Sequence, residues 1–203
     1  TAPGPQRDNR RLWWPRCKVR GGSSSINAMC YIRGDMRDYE EWARLTSDER
    51  WNWDNVLPYF KRAEGNTRGA DSLHGSDGPL SVSDLRYQNP LSKSFVDAAA
   101  ACGYPLNPDF NGAQQEGFGL YQVTQKNGAR CSTAAGYLRA TRVRSNLRVL
   151  TRSVTQRVLF AGPPATGVHC RHHRPQHRAD APDAPRCAVP VPPPPPSSSS
   201  GLA

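Results

Sequence analysis

No stretch of 18 or more apolar residues occurs in this 203-residue chain, which excludes a membrane-crossing helix, and the first residues show no apolar core of a secretory leader. No Cys-x-x-Cys pair exists among the six cysteines at 17, 30, 102, 131, 170 and 187, and an even count alone does not define a disulfide framework. A reducing intracellular compartment, cytoplasm or mitochondrion, is the expectation, with Cys30, Cys102 and Cys131 as small core or near-core fillers. Acidic residues are the minority, 17 against 27 Lys and Arg, for a net charge of +10. Such a balance raises the question of nucleic acid. Its distribution argues against it: the cations gather in the first twenty residues and the tail, with a scatter between Arg139 and Arg157 and no recognition helix or aromatic stacking strand among them. A Gly-x-Gly-x-x-Gly turn is absent too, since Gly117-x-Gly119 has neither the third glycine nor the strand–turn–helix setting.

What is present reads as one domain or pieces of two, with 36% apolar and 22% charged residues. Residues 1 to 20 form an extended lead-in that Trp13 and Trp14 anchor to the body. Asp35 caps a helix in which Tyr39, Trp42, Ala43 and Leu45 share the apolar face. A second helix starts at Asp54, with Pro58 near its first turn and Val56, Leu57, Phe60 and Ala63 facing inward, and stops at Gly65-Asn66. A loop over 66–78 leads to a short strand at Leu80–Ser83. Leu91 to Cys102 is a helix closed by Gly103. Phe118 to Thr124 alternates as a strand, Asn127-Gly128 turns the chain, Ser132 opens a short helix through Leu138, and Leu147–Thr151 and Val154–Phe160 are β-prone.

The chemistry concentrates in Arg16-Cys17-Lys18-Val19-Arg20-Gly21-Gly22-Ser23-Ser24-Ser25-Ile26-Asn27-Ala28-Met29. Adjacent glycines let the backbone turn and let a ligand approach without a Cβ in the way. Successive N–H groups and serine hydroxyls form a nest suited to an anion such as a phosphate, with Arg16 and Lys18 as the nearby positive charge. A flexible linker has a similar composition, but Ile26, Met29, Tyr31 and Ile32 continue directly into a patterned helix, which a solvated tether has no reason to carry.

These residues resemble the first signature of the glucose-methanol-choline (GMC) oxidoreductases, in their choline dehydrogenase-like branch: Trp14-Pro15-Arg16-x-Lys18-Val19-x-Gly21-Gly22-Ser23-Ser24-Ser25-Ile26-Asn27-Ala28-Met29-x-Tyr31-Ile32-Arg33-Gly34. Trp51-x-Trp53-Asp54-x-Val56-Leu57-Pro58-Tyr59-Phe60, His74-Gly75-x-x-Gly78-Pro79-Leu80, Asp109-Phe110-Asn111-Gly112 and Cys131-Ser132-x-x-x-x-Tyr137-Leu138 follow in that family's order, up to Val168. The resemblance implies an α+β fold with a partial FAD-binding domain over 1–66, part of a substrate-binding domain over 67–145 and return strands over 146–168. The Pro/Ser/His-rich composition of 169–203 predicts a disordered tail, and because the resemblance stops before it the tail is expected to be unrelated to what precedes it.

By the same resemblance the cofactor is FAD. Val19 falls at a flavin contact, Gly21, Gly22, Ser23 and Ser24 at the turn beside the cofactor, Asn27, Ala28, Met29 and Cys30 along the isoalloxazine, and Val154 at a strand residue whose backbone meets the adenine. The implied reaction is oxidation of a primary alcohol to an aldehyde by proton removal and hydride transfer to the flavin. The substrate is a small alcohol, and the electron acceptor, oxygen or a quinone, stays open. The family's histidine base and its His or Asn partner have no match in this sequence, so no catalytic residue is assigned and the chain is expected to be incomplete and inactive alone. Two positions depart from the signature: Cys17 stands for glycine and Arg20 for an apolar residue. Ile26 occupies the position of a flavin-linking histidine in some relatives, so no covalent link is expected there. His74, in a Gly-rich loop, has a structural role. His169, Cys170, His172, His173 and His177 lack a second ligand pair around a loop, and no metal is expected. A non-catalytic remnant or binding module without flavin is the alternative reading.

Overall fold

The computed structural model describes residues 3–5, 8–147, 149–160, 162, 165–172 and 186–190. They fall into two compact units, Thr1–Arg144 and Ser145–Ala203.

In the first unit, α1 (Met36–Thr46) begins at Asp35, whose carboxylate accepts from the Arg37 N–H, while the Asp38 carboxylate accepts from the Asp35 N–H to complete a capping box. Tyr39 and Ala43 of α1 are buried, but Trp42 and Leu45, on the predicted apolar face, are 50% and 65% exposed. The second helix, α2 (Trp53–Ala63), starts one residue earlier than the sequence predicts because Asn52 is its cap. Pro58 therefore lies inside the helix and not in its first turn. Edge-to-face and tilted ring contacts among Tyr39, Trp53 and Phe60 lock α1 to α2.

The helix stop expected at Gly65-Asn66 is in fact a short strand, and the loop expected over 66–78 follows it. β1 (Glu64–Asn66) pairs in parallel with β2 (Leu80–Val82), Glu64 opposite Leu80 and Asn66 opposite Val82. The approach is tight, since a Cβ on Gly78 would stand 2.3 Å from the Ala63 carbonyl carbon. This pairing crosses the boundary expected at 66/67. Then comes α3 (Pro90–Ala101), capped by Asn89 and ended at Gly103 with φ +85°. Residues 118–124 make single bridges instead of the continuous strand that their alternation predicts: Phe118 meets Leu106, and Val123 meets both Cys30 and Ser83. A two-residue hairpin of β3 (Gln125–Lys126) and β4 (Ala129–Arg130) turns through Asn127 and Gly128, both at positive φ as such turns demand. A π-helical turn over Ala134–Leu138 runs into α4 (Arg139–Thr141).

Three expectations fail on exposure. Trp13 and Trp14 are exposed and do not pin the lead-in, Arg16 instead stacking over Trp14 at 5.5 Å. Of the predicted cysteine fillers only Cys131 is buried, while Cys30 and Cys102 are exposed. A cysteine's small apolar side chain permits burial without requiring it.

The second unit is an antiparallel sheet in the order β5 (Ser153–Phe160), β6 (Ala165–His172), β7 (Arg186–Pro190). Strand β6 runs four residues beyond the order expected to end at Val168, because its backbone pairs with β5 on one side and β7 on the other. Composition argues against a buried core in this stretch, but ladder hydrogen bonds need no apolar side chains. The rest of the predicted tail, 173–185 and 191–203, with His173 and His177, lies outside the described residues. No described helix is long and apolar enough to cross a membrane.

Candidate functional site

The glycine–serine segment folds as a tight bend. Gly21 and Gly22 have φ of +88° and +54°, the Gly22 N–H donates to the Val19 carbonyl at 2.9 Å, and Gly22–Ser25 form one 3-10 turn. Both glycines are needed, for different reasons. A Cβ on Gly21 would lie 2.8 Å from Ser25 Oγ and 3.3 Å from Ala134 Cβ, whereas a Cβ on Gly22 would meet nothing within 4 Å. The first lets the bend pack on the π-helical turn; the second leaves an approach open beside the backbone.

Two of the serine hydroxyls turn back onto the bend. Ser24 Oγ donates to the Gly21 carbonyl and accepts from the Thr133 N–H at 3.0 Å, and Ser25 Oγ donates to the Arg20 carbonyl at 3.0 Å. Two of the three hydroxyls expected to line an anion nest are therefore consumed in holding the bend. Among the described residues only the Ser23 hydroxyl of the three has no such bond. Arg130, absent from any reading of the sequence, completes the clasp: its Nη1 donates to the carbonyls of Ser24 (3.2 Å) and Asn27 (2.8 Å) and to Asn27 Oδ1 (2.7 Å). Nothing in residues 125–130 marks this arginine as a partner of a loop a hundred positions earlier. It also lines, with Lys126, Cys131, Gly136 and Arg139, a groove of about 710 Å³.

Past the bend, Met29 has φ +65°, rare for a residue with a Cβ and a cost that a packed surrounding must sustain. The surrounding is present: the Met29 carbonyl accepts from Thr124 N–H at 2.9 Å, Tyr31 N–H donates to the Gln122 carbonyl at 2.8 Å, and Cys30 bridges to Val123. Val19, Asn27, Ala28 and Cys30 are exposed, and Gly21 to Ser24 and Met29 half-buried. The expected contact residues thus lie together along 19–30, with their approach open. Val154 belongs to the second unit, in β5 opposite Arg171. The two departures do little harm to the backbone here: Cys17 is not among the residues at positive φ, and Arg20 is exposed to water.

Below the loop, a buried polar network ties the segment to the rest of the unit. Arg33, at the end of the signature, pairs with Glu64 at 2.6 Å with both side chains out of solvent, and stacks over Phe60 at 5.3 Å. His74 is buried, 3.1 Å from Glu64 and 2.9 Å from Asp109. Asn66 and Gln122 exchange two side-chain bonds, and Asn111 accepts from the Arg33 N–H and donates to the Tyr31 carbonyl. Burial, and next the nearby Glu64 charge, push the Tyr31 phenol above its ordinary value. Among the described residues no cluster of His, Cys, Asp or Glu is arranged to hold a metal.

The model of the family described as GMC oxidoreductase matches residues 5–185, past the limit that the motifs suggest. The oxygen-dependent choline dehydrogenase of Paraburkholderia phytofirmans is 46% identical over 175 residues, 85% of this chain and 31% of that protein. The mitochondrial choline dehydrogenase of Mus musculus is 45% identical over 179 residues, 88% of this chain and 30% of that protein. The chain thus spans roughly three tenths of the length of these curated relatives. Among solved structures, pyridoxine 4-oxidase from Mesorbium loti superposes with a TM-score of 0.74 at 32% identity, over 82% of this chain and 33% of that one. An FAD-dependent oxidoreductase from Chaetomium thermophilum does so with a TM-score of 0.69 at 30% identity, over 84% and 31%. With the signature bend, the fold and a family match over most of its length in agreement, the chain belongs to the GMC oxidoreductase family.

Proposed function

We propose that this chain supplies the flavin-facing loop and part of the substrate region of an FAD-dependent oxidoreductase acting on the CH–OH group of a primary alcohol, choline-like in class. The observation that carries this is the bend itself: two consecutive left-handed glycines, the second with open space where a side chain would stand, followed by the exposed run Asn27-Ala28 and Cys30. Such a cradle fits a flat ring lying along the backbone. Bound there, an isoalloxazine supplies the hydride acceptor for alcohol oxidation. Val19, Gly21, Gly22, Ser23 and Ser24 shape the approach, Asn27 to Cys30 line it, and Val154 serves the adenine end. Half-exposed apolar residues at the loop, Val19 at 55% and Ile26 at 50%, are the kind of surface that a cofactor or further chain covers.

The same reading makes these 203 residues inactive by themselves, since neither the dinucleotide turn nor the family's histidine base has a counterpart in the sequence. The full chain mixed with FAD and desalted should keep visible flavin absorbance yet show no choline-dependent reduction of an artificial acceptor. Protein that stays colourless favours the non-catalytic module; turnover overturns the inactivity.

A further inference from the structure

Asn27 carries one amide oxygen and one amide nitrogen, and its neighbours decide which way each points. Arg130 Nη1 lies 2.7 Å from Oδ1, and the Met29 N–H reaches the same oxygen at 3.2 Å. A guanidinium has no acceptor and neither has a backbone N–H, so the flipped amide would set donors against donors. Nδ2 therefore faces away from Arg130, and no described residue accepts from it although Asn27 is exposed. The arginine is itself fixed. Its hairpin turns through Asn127 and Gly128 at φ +53° and +78°, and the next residue, Cys131, donates its N–H to the Thr124 carbonyl at 2.9 Å.

We propose that Arg130 is a positioning residue for the flavin loop: by holding the oxygen of Asn27 it presents Nδ2 outward as a donor to the carbonyl and ring-nitrogen acceptors of an isoalloxazine. This rests on the flavin reading above. The Ser24 and Ser25 hydroxyls, by contrast, are turned inward.

The test compares the full chain with Arg130→Met and Asn27→Asp, measuring FAD affinity by flavin fluorescence, the midpoint potential of bound flavin, and amide exchange over 21–30. Arg130→Met should weaken FAD binding about tenfold or more and speed exchange at 24–29, since charge-assisted hydrogen bonds are lost. Asn27→Asp keeps an acceptor for Arg130, so exchange should stay as in the wild type. It replaces the outward donor by a carboxylate, so binding should weaken by a similar factor and the potential should fall, negative charge opposing added electrons. Wild-type affinity and potential in both variants, with FAD bound by the wild type, would overturn the proposal and leave the flavin reading standing. A wild-type chain that binds no FAD removes both. If Arg130→Met fails to fold, Asn27→Asp decides alone.

Discussion

Gly21 and Gly22 both sit at positive φ, yet they should respond differently to alanine. Gly21→Ala meets the left-handed penalty of about 1–2 kcal/mol and also crowds Ser25 and Ala134, so urea unfolding should show the larger loss of stability there. Gly22→Ala meets the penalty alone, because the space beside it is open, and should cost flavin affinity out of proportion to stability. A deeper single site is Glu64. Its removal as Glu64→Ala leaves Arg33 charged and buried, with a cost of about 3–5 kcal/mol in chemical denaturation. At this scale the glycines were legible because a conformation that only glycine adopts easily leaves a mark in sequence. Arg130 and the inward turn of Ser24 were not, since both depend on residues about a hundred positions away.

Asp35 fixes the start of α1, and its chemistry sets a pH window for that helix. Side-chain bonds from Arg37, then the Arg37 backbone N–H, hold its carboxyl at about 2, below the usual 3.8. A carboxyl lowered in the fold contributes stability that is complete above the unfolded value and lost as pH falls through the folded one. Helical ellipticity should therefore drop in excess between pH 3.8 and about 2, and Asp35→Asn, which keeps the cap but cannot titrate, should lose that part of the drop. Equal acid profiles for the two proteins contradict the assignment. Local signals of this kind, a cap and an apolar spacing, made α1, α2 and α3 readable. Alternation over 118–124 misled, because there the exposed and buried sides are set by separate bridges to Leu106, Cys30 and Ser83 and not by one neighbouring strand. Pro58 was placed one position too early in α2 because the actual cap, Asn52, lies before an aromatic that does not look like a helix start.

At the scale of the molecule, the first unit joins residues that the sequence seemed to divide. The Arg33–Glu64 pair and the β1–β2 ladder bind the signature segment to the region expected to begin a substrate domain. A parallel pair with 13 residues between its strands leaves no periodic trace in so short a run as Glu-Gly-Asn, which is why only a helix stop was expected at Gly65-Asn66. Family membership, by contrast, was legible from motif order alone, and the match over 5–185 reaches into the second unit. The account turns on whether the open bend receives a flavin. Amide exchange across the full chain, with and without saturating FAD, tests this most directly: protection of residues 19–30 and of the backbone around Val154, together with quenched flavin fluorescence, is the predicted result. Unchanged exchange there, or protection only elsewhere in the chain, would contradict it.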